Sequence, residues 1–356
     1  EMITGLDLVE WQLRVAAGEK LPRTQDQLAI NGHAVEVRLY AEDPVKGFLP
    51  STGTLARLKL PAGDAHVRVD SGVAEGGEVS MFYDPMIAKV IAWDQTRTSA
   101  LARLANALET AEVAGVKTNL AFLISALRHD DFIAAQIDTG FIERHKESLI
   151  GAATPAPADA VLFAALFVLL ERRAKAAGTS PWRHLDGWRI GGVRQEEILR
   201  LTEREGDRVV GMLYRDKGWR LSLDGKVLDA DAAFDADGSI SASLNGRRAQ
   251  ARVLRLSGNL VVLMQGRTYS FQPHDPLEAA EHTHDAGKEL RAPMPGKVVQ
   301  ILTKAGDRVR RGQALAIIEA MKMEHTLAAP GDLTVKEVPF HAGDQVGEGA
   351  VIVSFE

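Results

Sequence analysis

The chain has 356 residues, enough for two or three domains that each bury a core, and its 42 basic and 48 acidic side chains give a net charge of −6. This balance, without a long basic run, argues against nucleic acids and anionic membranes as partners, and the absence of cysteine excludes disulfide bonds, thiolate nucleophiles and zinc–thiolate sites. We expect a soluble protein, because the longest apolar run, Ala160 to Leu170, is well short of the roughly 20 residues that cross a bilayer.

The first segment, residues 1–148, mixes helical and strand-like patterns. It predicts, in chain order, a helix from Leu8 to Gly18, a strand within residues 33–44, two strand-like runs in residues 79–93 interrupted at Pro85, a helix carrying Leu101, Leu104 and Leu108, and a helix near residues 119–128. The chain opens on Glu1 inside the first helical pattern, with neither an initiator methionine nor a signal-peptide layout, so we expect it to begin within a domain.

The middle segment follows a small, proline-containing stretch, residues 149–156, which is typical of a linker. A helix that is apolar on every side from Ala160 to Leu170 must be surrounded by protein. Seven short alternating stretches between Gly187 and Pro273, separated by turns such as Asn245-Gly246, predict antiparallel strands. We therefore expect residues 157–273 to form a β-barrel or strongly curled sheet around one buried helix.

A polar stretch without periodicity, residues 274–289, is predicted to be a tether. Its 16 residues span at most about 55 Å when extended and roughly 20 to 25 Å as a flexible coil. His274, His282 and His284 form a loose cluster here. Without cysteines or a rigid scaffold we interpret them as solvated residues, and we expect no metal site in the chain.

The last segment, residues 290–356, contains an internal repeat. Residues 297–319 and 334–356 align at an offset of 37 residues, which matches an Ala-Gly-Asp triplet, the valine after it and a later glycine. Two such halves predict a quasi-symmetric β-sandwich of about 70 residues. Lys322 stands between Met321 and Met323 in the stretch that joins the halves, so we expect it on an exposed hairpin.

Two stretches of this last segment carry a family resemblance. "APMPG" (292–296) with "EAMKM" (319–323) resembles the signature of biotin carboxyl carrier domains, which implies that a biotin protein ligase attaches biotin to Lys322, with Met321 and Met323 marking the site. Acylation removes the charge of the lysine and turns its long side chain into an arm. Lipoyl domains share the fold but carry Asp-Lys-Ala at the hairpin, and a solvated lysine beside two packing methionines is the plain alternative.

The first segment resembles the C-terminal portion of an ATP-grasp biotin carboxylase domain, through "EMITGLDLVEWQLRVAAGE", "GHAVEVRLYAEDP", "FLPSTG" and "YDPMIAKVIAWDQTRTSALARLANAL". The resemblance implies that Arg38 faces the ureido oxygen of biotin, where a fixed guanidinium stabilises the developing enolate. From the residues alone, Arg38 is equally a strand arginine paired with Glu36 or Glu42. The family's sites for ATP, Mg²⁺ and bicarbonate lie upstream of the residue matching Glu1, so we expect that this chain alone does not carboxylate biotin.

The middle segment resembles, in pattern and position, the BT domain that docks the α-subunits of propionyl-CoA and 3-methylcrotonyl-CoA carboxylases onto their β-subunits. The expected fold is therefore multidomain α+β: the C-terminal part of an ATP-grasp biotin carboxylase, a β-barrel around a central helix, and a flattened β-sandwich of the biotinyl/lipoyl type. The opening stretch, "DTGFIERH" (138–145) and "MEHT" (323–326) resemble the methylcrotonyl branch.

The resemblance implies a biotin-carrying α-subunit of an acyl-CoA carboxylase, an enzyme that delivers a carboxyl group to 3-methylcrotonyl-CoA on a carboxyltransferase β-subunit. Its setting would be a large α/β hetero-oligomer in the bacterial cytoplasm or the mitochondrial matrix. Propionyl-CoA and geranyl-CoA carboxylase α-subunits stay open as alternatives. So does, for the chain by itself, a non-catalytic carrier and docking module.

Overall fold

The computed structural model describes residues 1–151, 155–175, 196–203, 206–215, 217–274, 289–293, 295–320, 323–347 and 349–355. Residues 275–288 of the predicted tether and residues 152–154 of the predicted linker lie outside these residues, as do Met321 and Lys322. The tether residues outside them include His282 and His284. Within the described part of the chain, no helix has both the length and the apolar character needed to cross a membrane.

The first unit surrounds a three-stranded antiparallel sheet. Its elements are α1 (Leu8–Ala16), β1 (His33–Tyr40), β2 (Glu42–Asp43), β3 (Leu49–Pro50), β4 (Gly53–Thr54), β5 (Arg57–Lys59), β6 (Val67–Ser71), β7 (Glu78–Val79), β8 (Met86–Asp94), α2 (Arg97–Glu109), β9 (Glu112–Ala114), α3 (Leu120–Leu127), α4 (Asp130–Ile133), α5 (Phe141–Arg144) and α6 (Lys146–Ile150), with 3-10 turns at Gln25–Gln27 and Pro44–Lys46. The sheet order is β1-β8-β6.

One face of this sheet is buried against α2 and α3. The alternate residues of β1 and β8 that point inward are apolar, and the leucines of α2 recur three and four residues apart, so that Leu101, Leu104 and Leu108 face the sheet with at most 1 % of their surface exposed. The predicted helices α1, α2 and α3 and the strand β1 are confirmed. The first of the two runs around Pro85 shortens to the two residues of β7.

The second unit is a closed eight-stranded barrel filled by one helix. Its elements are α7 (Ala158–Lys175), β10 (Glu197–Glu203), β11 (Gly206–Tyr214), β12 (Trp219–Leu223), β13 (Lys226–Phe234), β14 (Ile240–Leu244), β15 (Arg247–Leu256), β16 (Asn259–Met264) and β17 (Arg267–Pro273). Neighbouring strands pair antiparallel in chain order, and β10 closes the ring on β17. Every residue from Ala160 to Leu170 is buried, which confirms the predicted barrel around a helix.

The strand that the sequence did not predict is β13. Its central part, from Asp229 to Ala233, consists of three alanines and two aspartates, residue types of low β propensity, and only Val227 and Phe234 near its ends are β-branched or aromatic. The structure still buries Ala230 and Ala232 against α7. Small residues at these positions leave room for the aromatic and leucine side chains of the helix.

The third unit is a sandwich of two four-stranded sheets. Its strands are β18 (Glu289–Arg291), β19 (Gly296–Ile301), β20 (Arg308–Val309), β21 (Ala314–Ala320), β22 (Met323–Ala328), β23 (Leu333–Glu337), β24 (Gln345–Val346) and β25 (Val351–Phe355). The sheet orders are β18-β25-β23-β20 and β22-β21-β19-β24.

The sequence repeat of this unit is also a structural repeat. β19, β20 and β21 recur as β23, β24 and β25, and matched residues such as Val298 and Val335 are both buried core residues. The repeated triplet forms the same turn twice: the carboxylate of Asp307 accepts the N–H of Lys304 at 2.9 Å, and that of Asp344 accepts the N–H of His341 at 2.7 Å. The aspartate is thus repeated because it closes the turn.

The barrel packs directly on the first unit. Ala114, at the end of β9, is buried in one apolar cluster with Val261 and Leu263 of β16, and Thr268 donates its hydroxyl to the carbonyl of Val113 at 3.3 Å. Arg252, only 5 % exposed, crosses the contact to Glu112. This mixed apolar and ionic contact fixes the barrel against the first unit.

Glu112 lies at the centre of the ionic part of this contact. Its carboxylate also accepts from Arg57 at 2.8 Å and lies 3.6 Å from the ammonium of Lys59. On the barrel side, Arg252 donates to the carbonyl oxygen of Asp237 at 2.8 Å and to its carboxylate at 3.0 Å. Since each charge has an opposite charge or a carbonyl as partner, the contact can bury Arg252.

Candidate functional site

Arg38 stands on the solvent-facing side of the first unit's sheet. In β1, Val37 and Leu39 point into the core and are 9 % and 0 % exposed, whereas the side chain of Arg38 is 62 % exposed. Strand alternation alone accounts for this orientation. The outer face of the sheet is charged, and Lys89 stands directly opposite Arg38 on β8.

The guanidinium of Arg38 is held loosely. Its Nε lies 3.7 Å from a carboxylate oxygen of Glu36, whose other oxygen lies 3.8 Å from Lys89. A hydrogen bond with the Tyr40 side chain, together with the nearby charge of Glu36, raises the pKa of Arg38, so the group stays charged. Of the two partners that the sequence offered, the structure places Glu36 beside Arg38. Most of the guanidinium's donors therefore face solvent, where they can bind an oxyanion.

Glu42 has a different environment. Burial raises the pKa of its carboxyl, and the charge of Asp84 raises it further. Both carboxyls lie in stretches that carry the family resemblance, the "AEDP" after Arg38 and the "YDPM" before β8. Glu42 and Asp84 form a second pair of acidic groups near this sheet, separate from the Arg38–Glu36 contact.

Asn119 fixes the backbone beneath Arg38, and sequence reasoning missed it. The side chain is buried, at 5 % exposure: its Oδ1 accepts the N–H of Tyr40 at 2.9 Å, and its Nδ2 donates to the carbonyl of Arg38 at 3.2 Å. These bonds lie at the point where the register of β1 on β8 shifts, between Leu39 and Tyr40. Asn119 therefore provides hydrogen-bond partners for the backbone N–H of Tyr40 and the backbone carbonyl of Arg38, next to an irregularity in the strand pairing.

The sequence signal at Asn119 points elsewhere, because an asparagine directly before a helix is typical of an N-cap. Asn119 does precede α3, yet its side chain makes no capping bond to that helix. The contact with β1 joins residues about 80 positions apart in the chain, and no local pattern reveals it.

The second candidate site is the end of the sandwich where β21 and β22 meet. These strands pair up to Ala320 opposite Met323, and the two residues between them, Met321 and Lys322, lie outside the described part of the chain. Lys297, at the start of β19, pairs with Glu319 near the end of β21. The two stretches that carry the biotin signature are thus brought together at one end of the sandwich.

His325 lies at the same end. It stands in β22 opposite the fully buried Ile318, and its Nε2 is buried without a hydrogen-bond partner among the described residues. Its ring is therefore half-buried on the face of β22 that Ile318 shares, three residues after Lys322 in the sequence. Sequence analysis assigned no role to it, because a histidine within a short strand carries no signal of its own.

Three family models match the chain, one for each unit. They are described as "Biotin carboxylase C-terminal domain" at residues 36–144, "Methylcrotonyl-CoA carboxylase, alpha-subunit, BT domain" at residues 157–276, and "Biotin-requiring enzyme" at residues 288–355. The last of these implies covalently attached biotin, and the two stretches that meet beside residues 321 and 322 fit such an attachment point.

Several curated relatives match nearly the whole of this chain. The chain is 37% identical to the methylcrotonoyl-CoA carboxylase subunit alpha of Dictyostelium discoideum, over 97% of this chain and 52% of that protein. It is 35% identical to the corresponding subunit of Mus musculus, over 100% and 51%, and 34% identical to the propionyl-CoA carboxylase alpha chain of Ruegeria pomeroyi, over 100% and 56%. The chain spans about half the length of the curated relatives it matches.

Among solved structures, the biotin carboxylase domain of Hydrogenobacter thermophilus 2-oxoglutarate carboxylase is 42% identical to this chain. The match covers 43% of this chain and 33% of that one, with a TM-score of 0.41.

Proposed function

This chain belongs to the family of α-subunits of biotin-dependent acyl-CoA carboxylases, and from that premise we propose that it carries biotin on Lys322 and passes a carboxyl group from that biotin to an acyl-CoA on a partner β-subunit. The observation that carries the proposal is the meeting of the "APMPG" and "EAMKM" stretches at one end of a duplicated β-sandwich. A ligase could reach a lysine between the ends of two paired strands.

Replacement of Lys322 tests the attachment. Lys322→Arg should abolish biotinylation, because guanidinium is a poor nucleophile toward activated biotin. Lys336→Arg, in β23 of the same sandwich, is the matched control and should stay labelled on a streptavidin blot. Intact mass separates biotin from lipoate, which adds a different increment. A streptavidin signal that remains in Lys322→Arg, or a mass increase equal to that of lipoate, would contradict the assignment.

Arg38 is proposed to stabilise negative charge as it develops on the ureido oxygen of biotin. When bound, biotin supplies the ring nitrogen that accepts the carboxyl group. Arg38 contributes a permanently charged guanidinium whose donors face solvent, and Asn119 and the register of β1 hold its backbone. Such a donor acts by being oriented before charge appears.

The Arg38 proposal is tested in a complete α-subunit that includes the ATP site. Arg38→Ala should slow biotin carboxylation by about 10² to 10³, the effect of removing one oxyanion donor. Arg68→Ala is the matched control, an exposed arginine of β6 whose partners are Glu1 and Asp70, and it should leave the rate nearly unchanged. Equal carboxylation rates for the two variants would show that Arg38 is an ordinary surface arginine with no role in the reaction.

The chain alone is proposed to act as a carrier and docking module, with ATP, Mg²⁺ and bicarbonate bound by the remainder of a complete subunit. Purified chain mixed with ATP and bicarbonate should show no bicarbonate-dependent ATP turnover. Turnover above that of a Lys322→Arg and Arg38→Ala double variant would mean that the chain holds an ATP site of its own.

The barrel is proposed to dock a carboxyltransferase β-subunit, in line with the BT model that matches it. Deletion of the helix is unsuitable as a test, because residues 160–170 fill the barrel and their loss would unfold it. A sharper test compares the chain with a version that ends at His274. Both should co-purify with the β-subunit, whereas a chain of residues 290–356 alone should not.

The proposed acyl group is 3-methylcrotonyl, since the BT model and the Dictyostelium and mouse relatives carry that name. Propionyl is the second candidate, favoured by the Ruegeria relative. Pull-down against β-subunits of both types decides between them, and preference for the propionyl type would overturn the first choice. We further propose an α/β hetero-oligomer in the mitochondrial matrix or the bacterial cytoplasm, because the relatives' names place several of them in mitochondria.

A further inference from the structure

Two histidines and one aspartate converge at the end of the first unit, outside the Arg38 face. His129 directly precedes α4, Asp131 lies within α4, and His145 joins α5 to α6. One donor atom from each of the three side chains lies within 4.8 Å of the other two. The closest pair is Nε2 of His145 and Oδ2 of Asp131, 3.0 Å apart, and the two imidazole centroids are 4.2 Å apart.

Aromatic side chains support this cluster on one side. Phe141 is 5 % exposed, and its ring contacts both imidazoles, with centroids 5.3 Å from His129 and 5.0 Å from His145. Phe132 packs on Phe141 at 5.8 Å. The three polar side chains are themselves half-buried. The rings are therefore held in place against an apolar wall, where electrostatic interactions are stronger than in bulk water.

The polar atoms of the cluster are only partly satisfied. The N–H of Asp131 donates to Nδ1 of His129 over 3.3 Å, at the long end of the hydrogen-bond range. Besides this contact and the His145–Asp131 pair, no hydrogen bond of the two imidazoles occurs among the described residues. The carboxylate of Asp131 offers one oxygen within 4.8 Å of a nitrogen on each ring.

We propose that His129, Asp131 and His145 bind a divalent transition metal ion, with Zn²⁺ as the best match. Two imidazoles and one carboxylate form a donor set that zinc takes when three side chains bind it, with water in the fourth position. Mg²⁺ and Ca²⁺ prefer oxygen donors, so they match the cluster less well. On binding, the metal takes the place of the proton between His145 and Asp131 and of the long contact to His129.

The bound ion would tie the start of α4 to the junction of α5 and α6. It would take no part in the proposed carboxyl transfer, because the cluster lies outside both candidate sites described above. The sequence directed attention to His274, His282 and His284 and led us to expect no metal. His129 and His145 are 16 residues apart, and they meet only because α4 and α5 fold back on α3.

Metal titration of the untagged, chelator-treated chain tests the site. Co²⁺ binding is followed by its visible absorption, and Zn²⁺ binding by competition with a chromophoric chelator. We expect one equivalent to bind and to raise the thermal unfolding midpoint. Asp131→Asn and His145→Ala should each weaken binding at least tenfold, and His129→Asn, which keeps an acceptor for the N–H of Asp131, should do the same.

His341→Ala is the matched control. His341 and Asp344 form another His–Asp pair, with 3.7 Å between Nδ1 and Oδ2, but the side chain of His341 is 88 % exposed. This variant should bind metal like the parent chain. Unfolding of each variant without metal shows whether the fold is kept.

Three results would overturn the proposal. They are no saturable binding of one equivalent, binding that is unchanged in His145→Ala, and binding that is lost only when His282 and His284 are replaced. All of these readouts are independent of biotin and of any carboxylation assay.

Discussion

The contact between the barrel and the first unit predicts an unequal response at two similar glycines. Gly258 and Gly266 occupy the second position of tight hairpin turns, with φ of +83° and +67°. A Cβ added at Gly258 would meet nothing within 4 Å. A Cβ added at Gly266 would lie 2.3 Å from Cδ1 of Ile124 and 3.1 Å from the carbonyl oxygen of Leu108.

The difference between Gly266→Ala and Gly258→Ala isolates the contact. Both variants place alanine in the left-handed region, which costs about 1 to 2 kcal/mol at each position. The overlap at Gly266 requires a shift of Ile124, which is 3 % exposed, and overpacking of this kind costs about 1 to 3 kcal/mol more. Gly266→Ala should therefore be less stable than Gly258→Ala by about 1 to 3 kcal/mol.

Hydrogen exchange read by mass spectrometry is the suitable assay, because a chain of several units does not unfold in one step. Gly266→Ala should speed exchange in α3 and β9 of the first unit as well as in β16 and β17 of the barrel. Gly258→Ala should affect the barrel alone. Equal destabilisation by the two variants, or unchanged exchange in β9, would refute the claim that the barrel is fixed on the first unit.

Three further predictions concern single side chains. Arg252→Met should lower the free energy of unfolding, measured in urea, by about 2 to 3 kcal/mol, because it breaks a buried ion pair while Glu112 keeps Arg57 as a partner. Arg255→Met is the control: it breaks a more exposed ion pair on the same strand and should cost under about 1 kcal/mol. Asn119→Ala in a complete α-subunit should lower the rate of biotin carboxylation, as Arg38→Ala does, whereas Asn106→Ala, at an exposed position, should leave it unchanged. A normal rate for Asn119→Ala would show that Asn119 does not position Arg38. The raised pKa of Glu42 means that its carboxyl binds a proton more tightly in the folded state than in the unfolded state, so its ionisation destabilises the fold as pH rises above about 4.5. Glu42→Gln should therefore become more stable relative to the parent chain between pH 4 and pH 7. A difference in unfolding free energy that stays constant over this range would contradict the sign.

Local sequence patterns were sufficient to predict two of the units. The all-apolar run at residues 160–170 required a surrounding layer, and the alternating stretches after it supplied one, so the barrel followed from both together. The 37-residue repeat likewise predicted the sandwich, because each half carries the same turn and the same buried positions. In both cases the information lies in neighbouring residues.

What the sequence left out depends on distant contacts. Asn119 resembles a helix cap but binds β1, and Glu112 resembles a surface carboxylate but meets Arg252 from a strand 140 positions away. β13 was missed because alanines and aspartates give a weak strand pattern that the barrel overrides. The same limit applies to His129 and His145, whose proximity is a product of helix packing.

The path of the chain through the sandwich places Glu289 and the facing ends of β21 and β22 at opposite ends of the unit. Glu289, where the chain enters, pairs with Ser354 near the end of β25, whereas Arg291 pairs with Val351, and the chain then runs on to the start of β19 beside Glu319. The facing ends of β21 and β22, at Ala320 and Met323, therefore belong to the far end. A strand of the length of β21, seven residues, extends about 23 Å. For the carrier function proposed above, the sandwich would act as a lever about 20 Å long between the tether and the biotin, and shortening its strands would reduce the range of delivery even with the tether left intact.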